Sequence, residues 1–347
     1  LVLYKLLIVN RLALLRFVVD KLLKAYLKTF LKMKKLWKII KLTLAFIVLL
    51  LVGVAVVYWQ KDIPLDVLIK KYGNLDSKFV QIDGMSVHYR DEGNQNDTIP
   101  VVLIHGTGAS LHTWEAWVRE LKPEHRVITL DLPAYGLTGP NPTGDYSQDV
   151  YAEFINHFLT ELQVKQCVLG GNSLGGAITW VYALKYPKKV KKMILVDAGG
   201  YPMKAKSVPI AFQMAGIPVI KDLFKYITPR SIIEKSVLNV YAQKEKVTPE
   251  LVDRYFELSL RAGNREAFLS RAGQGVLNDK YLSIKTLKMP TLIIWGDKDL
   301  LIPLDVAEKF HKDLPNDTLV IFKNLGHTPM EEDAHATVAT VKDFLKK

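Results

Sequence analysis

The stretch that most restricts how this chain can fold is Gly171-Asn172-Ser173-Leu174-Gly175-Gly176, which follows the apolar run Cys167-Val168-Leu169 and precedes the helix-like segment Ala177 to Tyr186. A strand has to turn sharply into a helix here, with a hydroxyl at the apex. A nucleophile held in so tight a turn leaves no room for side chains two residues before or after it, so glycine at 171, 175 and 176 has a steric reason. The pattern marks Ser173 as a candidate nucleophile; a plain glycine-rich loop is the competing reading.

Around this turn the chain alternates short β-rich runs with helical patterns, as in a mostly parallel sheet covered on both faces. Eight strands are expected, at 79–82, 86–90, 101–104, 126–130, 166–169, 192–196, 291–295 and 318–322. Helices are expected at 114–121, 147–162, 177–186, 304–314 and 334–346, and between Gly199 and Lys288 strands give way to amphipathic helical patterns such as Pro249 to Arg261. The expected fold class is therefore α/β: an eight-stranded, mostly parallel sheet in residues 77–198 and 286–347, with an inserted helical cap over 199–285.

The front of the chain is of another kind. Residues 1–41 hold eleven Lys and Arg against one acid, Asp20, and so supply ten of the twelve net positive charges. The remaining body is close to neutral, which argues against a nucleic-acid groove on its surface. Leu42 to Trp59 carries no charge for eighteen residues, enough at about 1.5 Å per residue to cross the hydrocarbon of a bilayer. Lys34, Lys35, Lys38 and Lys41 precede it and Trp37, Tyr58 and Trp59 bracket it, which predicts a single-pass anchor with a cytoplasmic amino terminus and the body on the outer side. A cleaved signal, with Gly53-Val54-Ala55 as the cleavage site, is the alternative. Residues 60–76 read as a linker.

Two readings stand for residues 1–32. Arg16, Asp20, Lys24, Lys28 and Lys32 recur every four residues and lay a polar stripe along an apolar helix, as at a membrane surface. Alternatively Met33-Lys34-Lys35 before an apolar run is how signal anchors open, which makes the preceding stretch an artefact upstream of a start at Met33. The single Cys167 lies in an apolar strand and is expected to be a small buried residue.

A serine hydroxyl needs a base, and the base an orienting acid. Both are expected at strand ends beyond Ser173, and the chain offers Trp295-Gly296-Asp297-Lys298-Asp299-Leu300-Leu301-Ile302-Pro303 after one strand and Gly326-His327 after the next. Of eight histidines, His327 has the position and neighbours of the base. His105 is expected to brace its loop; His88, His125, His157, His311 and His335 fall on expected element surfaces. An acyl-transfer transition state also needs amide donors, and Leu174, directly after the nucleophile, supplies one.

Together these pieces resemble the α/β-hydrolases, most closely the capped esterase, lipase and carbon–carbon hydrolase branch, over about residues 75–347. The matching motifs are His105-Gly106-Thr107-Gly108, Asp131-Leu132-Pro133-Ala134-Tyr135-Gly136, the Ser173 turn, the Gly296, Asp299, Pro303 spacing and Gly326-His327. The resemblance implies Asp299 as the acid, with Asp297 a turn residue and Asp197 the other place from which family members supply it. It implies the Thr107 N–H as the second oxyanion donor. It makes Gly106, Trp114 and Asn172 candidate substrate-pocket residues, although Trp114 reads equally well as core, and puts His112 near the pocket entrance. Carbon–carbon hydrolases of the family share the Gly-Asn-Ser elbow but carry Trp after the histidine and Asn in the first glycine loop; this chain has Thr328 and no Asn between His105 and Trp114. The expectation is a membrane-anchored serine hydrolase acting on a small-molecule or lipid-like carboxylic ester. A carbon–carbon hydrolase and a non-catalytic binding protein are the alternatives. No Cys/His cluster, acidic ligand spacing or dinucleotide fingerprint is present, so no metal or other cofactor is expected.

Overall fold

The computed structural model describes residues 2–217, 223–274 and 279–347. It divides into two units, Leu1–Trp59 and Gln60–Lys347.

The first unit is one helix, α1 (Val2–Tyr58). The division expected between a basic arm ending at residue 41 and an anchor beginning at 42 is not a structural break. Leu, Ile, Val, Phe and Lys continue without a glycine or proline until Gly53, and the helix runs about 85 Å, well beyond a bilayer's hydrocarbon thickness of roughly 30 Å. Ile8–Tyr58 contains a window long and apolar enough to cross a membrane.

The second unit is built on an eight-stranded sheet in the order β1-β2-β4-β3-β5-β6-β7-β8. Its strands are β1 (Ser77–Ile82), β2 (Met85–Gly93), β3 (Val101–Ile104), β4 (Arg126–Leu130), β5 (Cys167–Asn172), β6 (Val190–Val196), β7 (Thr291–Gly296) and β8 (Asp317–Phe322). β2 pairs antiparallel with β1 and β4, and every later pairing is parallel. Each residue of β3, β5 and β7 is buried. Covered on both faces, these central strands read as near-continuous apolar runs, whereas the edge strand β8 leaves Thr318 and Ile321 exposed and buries none of its residues fully.

Helices α3 (Glu115–Leu121) and α11 (Ala334–Lys346) cover one face, packing Trp117, Val338 and Phe344 on Val101, Leu103 and Ile294. The other face carries α4 (Gln148–Glu161), α5 (Leu174–Lys185) and α10 (Leu304–Asp313) over Val102, Leu169 and Leu195. Between β6 and β7 the described residues form helices, among them α6 (Ile210–Ala215), α7 (Arg230–Val240), α8 (Pro249–Ser259) and α9 (Asn264–Gly273). Ala211, Ala215, Phe224 and Leu269 form a small core of their own there.

The segment 60–76, read as a linker, contains a helix, α2 (Leu65–Tyr72). Leu65, Leu68, Ile69 and Tyr72 fall on one face, at the spacing of an amphipathic helix. That face packs with Leu137 and with Leu258 of α8, and Leu68 is buried.

Candidate active site

Ser173 separates the last residue of β5 from the first of α5, with φ 55° and ψ −113°. A non-glycine residue in this region is strained by about 1–3 kcal/mol, so the surroundings must hold it. They do so through the backbone: Ser173 N–H donates to Val196 O at 3.1 Å, and its carbonyl accepts from Ala177 and Gly199, each at 3.0 Å. The glycines allow this closeness. A Cβ on Gly175 would overlap the Ile104 carbonyl, and one on Gly171 would overlap the backbone of Gly175. Gly106 is pressed against the same turn, where a Cβ would come within 2.8 Å of Asn172 Oδ1 and 3.1 Å of Ser173 Cβ.

The strand ends beyond the turn bring His327 and Asp299 together. His327 Nδ1 and Asp299 Oδ2 lie 2.7 Å apart, in a buried pair. Asp299 Oδ1 accepts from the N–H groups of Leu301 (2.8 Å) and Ile302 (3.0 Å), so both carboxylate oxygens are committed. Asp297 is used elsewhere, accepting from Asn324 N–H at 2.6 Å.

Asp197 stands behind this pair. It is fully buried, has φ 42°, and its Oδ1 accepts from Gly296 N–H at 3.0 Å. Burial first, and then the charge of Asp299, hold its carboxyl well above the usual carboxylate range. Asp197, Asp299 and His327 each present a ligand-type atom within 4.8 Å of the others. A cation there would have to compete with the backbone donors and the imidazole that already occupy three of the four carboxylate oxygens.

Asn172 has a role that its place in the motif does not reveal. Buried beside Ser173, its Nδ2 donates to Val196 O at 3.2 Å and to His327 O at 2.9 Å, tying the turn to the histidine loop. The same loop is fixed to the β6–β7 insertion. His327 N–H donates to Val240 O at 2.8 Å, and buried Glu332 accepts from Gly326 N–H at 2.7 Å and from Ala242 and Gln243 N–H at 2.8 Å each. Among the described residues Ser173 Oγ makes no hydrogen bond, and the imidazole is held through Nδ1. Such bonds are often formed only with substrate bound.

The Leu174 N–H opens α5, and among the described residues neither it nor the Thr107 N–H is spent in a backbone hydrogen bond. The Thr107 loop is braced by buried His105, whose Nδ1 lies 2.8 Å from Gly106 O and whose Nε2 accepts from Leu132 N–H at 3.0 Å. That pattern requires a neutral ring, and burial lowers its pKa in agreement. Thr107 and Gly108 also form part of the wall of a cavity of about 110 Å³, which is otherwise lined mainly by the insertion, including Phe212, Phe224, Val237 and Val240. An apolar cavity with a few convergent polar groups is the usual form of a small-molecule site.

Other histidines and Trp114 lie outside this cavity wall. Trp114 is fully buried against Trp117, their ring centroids 5.0 Å apart, and belongs to the core. His112, expected near the pocket entrance, is buried with Nδ1 2.9 Å from Ser110 Oγ and Nε2 2.8 Å from Tyr72 O, and desolvation lowers its pKa to about 4. His88 was expected on a strand surface but is fully buried, with Nδ1 2.8 Å from Asp131 Oδ2 and Nε2 2.9 Å from Ser77 Oγ. Burial alone would raise the Asp131 carboxyl, but His88, with His105 and His112, more than offsets it and holds it below the usual range.

Residues 99–334 match the family described as alpha/beta hydrolase fold. An uncharacterized hydrolase, YugF, of Bacillus subtilis is 30% identical over 273 residues, covering 76% of this chain and 96% of that protein. A 2-hydroxy-6-oxononadienedioate/2-hydroxy-6-oxononatrienedioate hydrolase of Burkholderia vietnamiensis is 30% identical over 283 residues, covering 78% and 96%. Among solved structures, a membrane phospholipase A described as a bacterial virulence factor superposes with TM-score 0.68 at 25% identity, covering 88% of this chain and 98% of its own. With the eight-stranded sheet and the strand-end residues in place, the chain belongs to the alpha/beta hydrolase fold family.

Proposed function

We propose that the protein is a membrane-anchored serine hydrolase that cleaves carboxylic esters through an acyl-enzyme. The observation that carries this reading is the buried His327–Asp299 pair, linked through Asn172 to the strained turn that presents Ser173. In the first step Ser173 Oγ attacks the ester carbonyl carbon and its proton passes to His327 Nε2. Asp299 holds the Nδ1–H of the resulting imidazolium, and the oxyanion receives the N–H groups of Thr107 and Leu174, each such donor contributing about 3–4 kcal/mol. Collapse expels the alcohol, which takes the proton from Nε2. Water, deprotonated by the same nitrogen, then attacks the acyl-enzyme, releases the acid and restores Ser173.

The apolar span within α1 supports an anchor, with the amino terminus cytoplasmic and the hydrolase body on the outer side. The match to the membrane phospholipase A covers more of the chain than Gln60 to Lys347 makes up, so the likeness extends into the apolar helix. A second reading, carbon–carbon bond hydrolysis, is favoured by the Gly171-Asn172-Ser173 elbow and by the Burkholderia relative. Nitrophenyl esters of graded acyl length, run beside a ring-cleavage dienone, separate the two. Ester turnover that disappears in Ser173→Ala, with the dienone untouched, is the expected result. Dienone cleavage in the absence of ester turnover overturns the ester reading.

A further inference from the structure

The chain that leaves α1 is fastened at once to the β6–β7 insertion. Gln60 N–H donates to Tyr226 O at 2.9 Å, Ile63 N–H donates to Leu260 O at 2.8 Å, and Asp62 Oδ1 lies 2.6 Å from the buried Arg265 guanidinium. Gln60 is two residues beyond the end of α1 at Tyr58, so no more than about 7 Å of chain separates them.

The part of the insertion caught by this attachment has two faces of different character. Inward, Ala211, Phe212 and Phe224 line the cavity that reaches Thr107. Outward, their neighbours Ile210, Ile217, Leu223 and Tyr226 are exposed. The two segments share one small core through Ala211, Ala215 and Phe224, so their exposed neighbours flank the same core. Exposed Lys204 and Lys206 shortly precede Ile210 in the chain, and exposed Lys61 follows Gln60, whose N–H is bonded to Tyr226 O. Single exposed apolar residues need no explanation, but several together with basic neighbours, on a surface tied to the exit of a membrane-spanning helix, have the composition of an interfacial contact with anionic lipid.

We infer that the face formed by Ile210, Ile217, Leu223 and Tyr226 lies on the bilayer, and that the substrate is a membrane-resident acyl ester entering the cavity from that side. The inference rests on the anchored-esterase reading above and deepens it. A helix end that enters a membrane fixes the depth of the residues a few ångströms further along the chain. Gln60 and Tyr226 are therefore held at the headgroup level, and the cavity wall one residue behind Leu223 faces the lipid. A substrate that partitions into the bilayer is then concentrated beside the segment whose Phe224 lines the cavity.

Cys167 is fully buried, so an introduced cysteine can be labelled selectively. The test uses the full chain in vesicles containing phosphatidylglycerol, with a fluorophore at Leu223→Cys or, as a control on edge strand β8, at Ile321→Cys. Quenching by nitroxide-bearing lipid is read after flotation. Strong quenching at 223 with little at 321 is expected. Flotation with equal quenching at both positions overturns the docking face and leaves the anchored esterase intact, whereas failure to float overturns the anchor and the docking face together. As an independent readout, Ile210→Ser/Leu223→Ser is expected to lower turnover of a vesicle-presented ester, relative to a water-soluble one, by about tenfold. An unchanged ratio overturns the inference even if the labelled variants fold poorly.

Discussion

Asp299→Asn is the substitution whose consequence the geometry specifies most fully. Asp299 Oδ1 accepts two backbone N–H groups, from Leu301 and Ile302, and Oδ2 faces His327 Nδ1 at 2.7 Å. An asparagine has one acceptor oxygen and one donor nitrogen. Turning the nitrogen toward Leu301 and Ile302 would oppose donors to donors and leave two buried N–H groups unpaired, at about 1–3 kcal/mol each. The amide oxygen therefore takes the Oδ1 position, and the NH₂ points at the imidazole. Nδ1 must then accept, which puts the ring proton on Nε2 and blocks it from taking the proton of Ser173. Misplacing the tautomer in a triad of this kind costs about 10⁴ in kcat, or roughly 5.5 kcal/mol of barrier. Because shape and hydrogen bonds are otherwise kept, the thermal midpoint is expected to move little. Steady-state turnover of a nitrophenyl ester from pH 6 to 9, beside thermal unfolding, measures both. A kcat within tenfold of wild type would exclude Asp299 as the group that sets the His327 tautomer. Activity that survives in Asp299→Asn but vanishes in the Asp197→Asn/Asp299→Asn double variant would transfer the acid's role to Asp197.

Two further perturbations probe groups around the site. Asn172→Ala removes the donor shared by Val196 O and His327 O, so it is expected to cost about 1–3 kcal/mol of stability and to lower kcat more than it raises KM; a kcat equal to wild type would show that the link does not hold the histidine loop. Asp197→Asn tests the buried carboxyl. Its folded-state pKa is raised, so its contribution is fully present below the unfolded value of about 4 and is lost as pH rises toward the folded one. The wild type should therefore lose stability across that rise and the asparagine variant should lose less; identical denaturation midpoints against pH from 4 to 8 would show that Asp197 is not held protonated.

The sheet and the turn at Ser173 are legible in the sequence because sterics leave few alternatives. Only glycine clears the Ile104 carbonyl at position 175, and the runs at β3, β5 and β7 are apolar because both their faces are covered. What could not be read depends on partners far along the chain. Asn172 meets a carbonyl 155 residues away, and Glu332 meets N–H groups of Ala242 and Gln243 that lie across the insertion. His88 looks like a surface residue until Asp131 and Ser77 close around it. Trp114 carries the same residue type whether it lines a pocket or a core, and packing against Trp117 separates the two. Helix α2 is a different case. The spacing of Leu65, Leu68, Ile69 and Tyr72 is visible in the sequence, but Asp66, Lys70 and Lys71 give so short a stretch the composition of a linker.

The proposed mechanism requires Ser173 to be an activated nucleophile in the folded protein. Incubating the full chain with a fluorophosphonate and locating the adduct by peptide mass spectrometry tests it most directly. A single phosphonylated peptide carrying Ser173 is expected, formed at least about 10³-fold more slowly in His327→Ala and absent after denaturation. A folded protein that stays unlabelled at Ser173, or that labels as fast without His327, would contradict it.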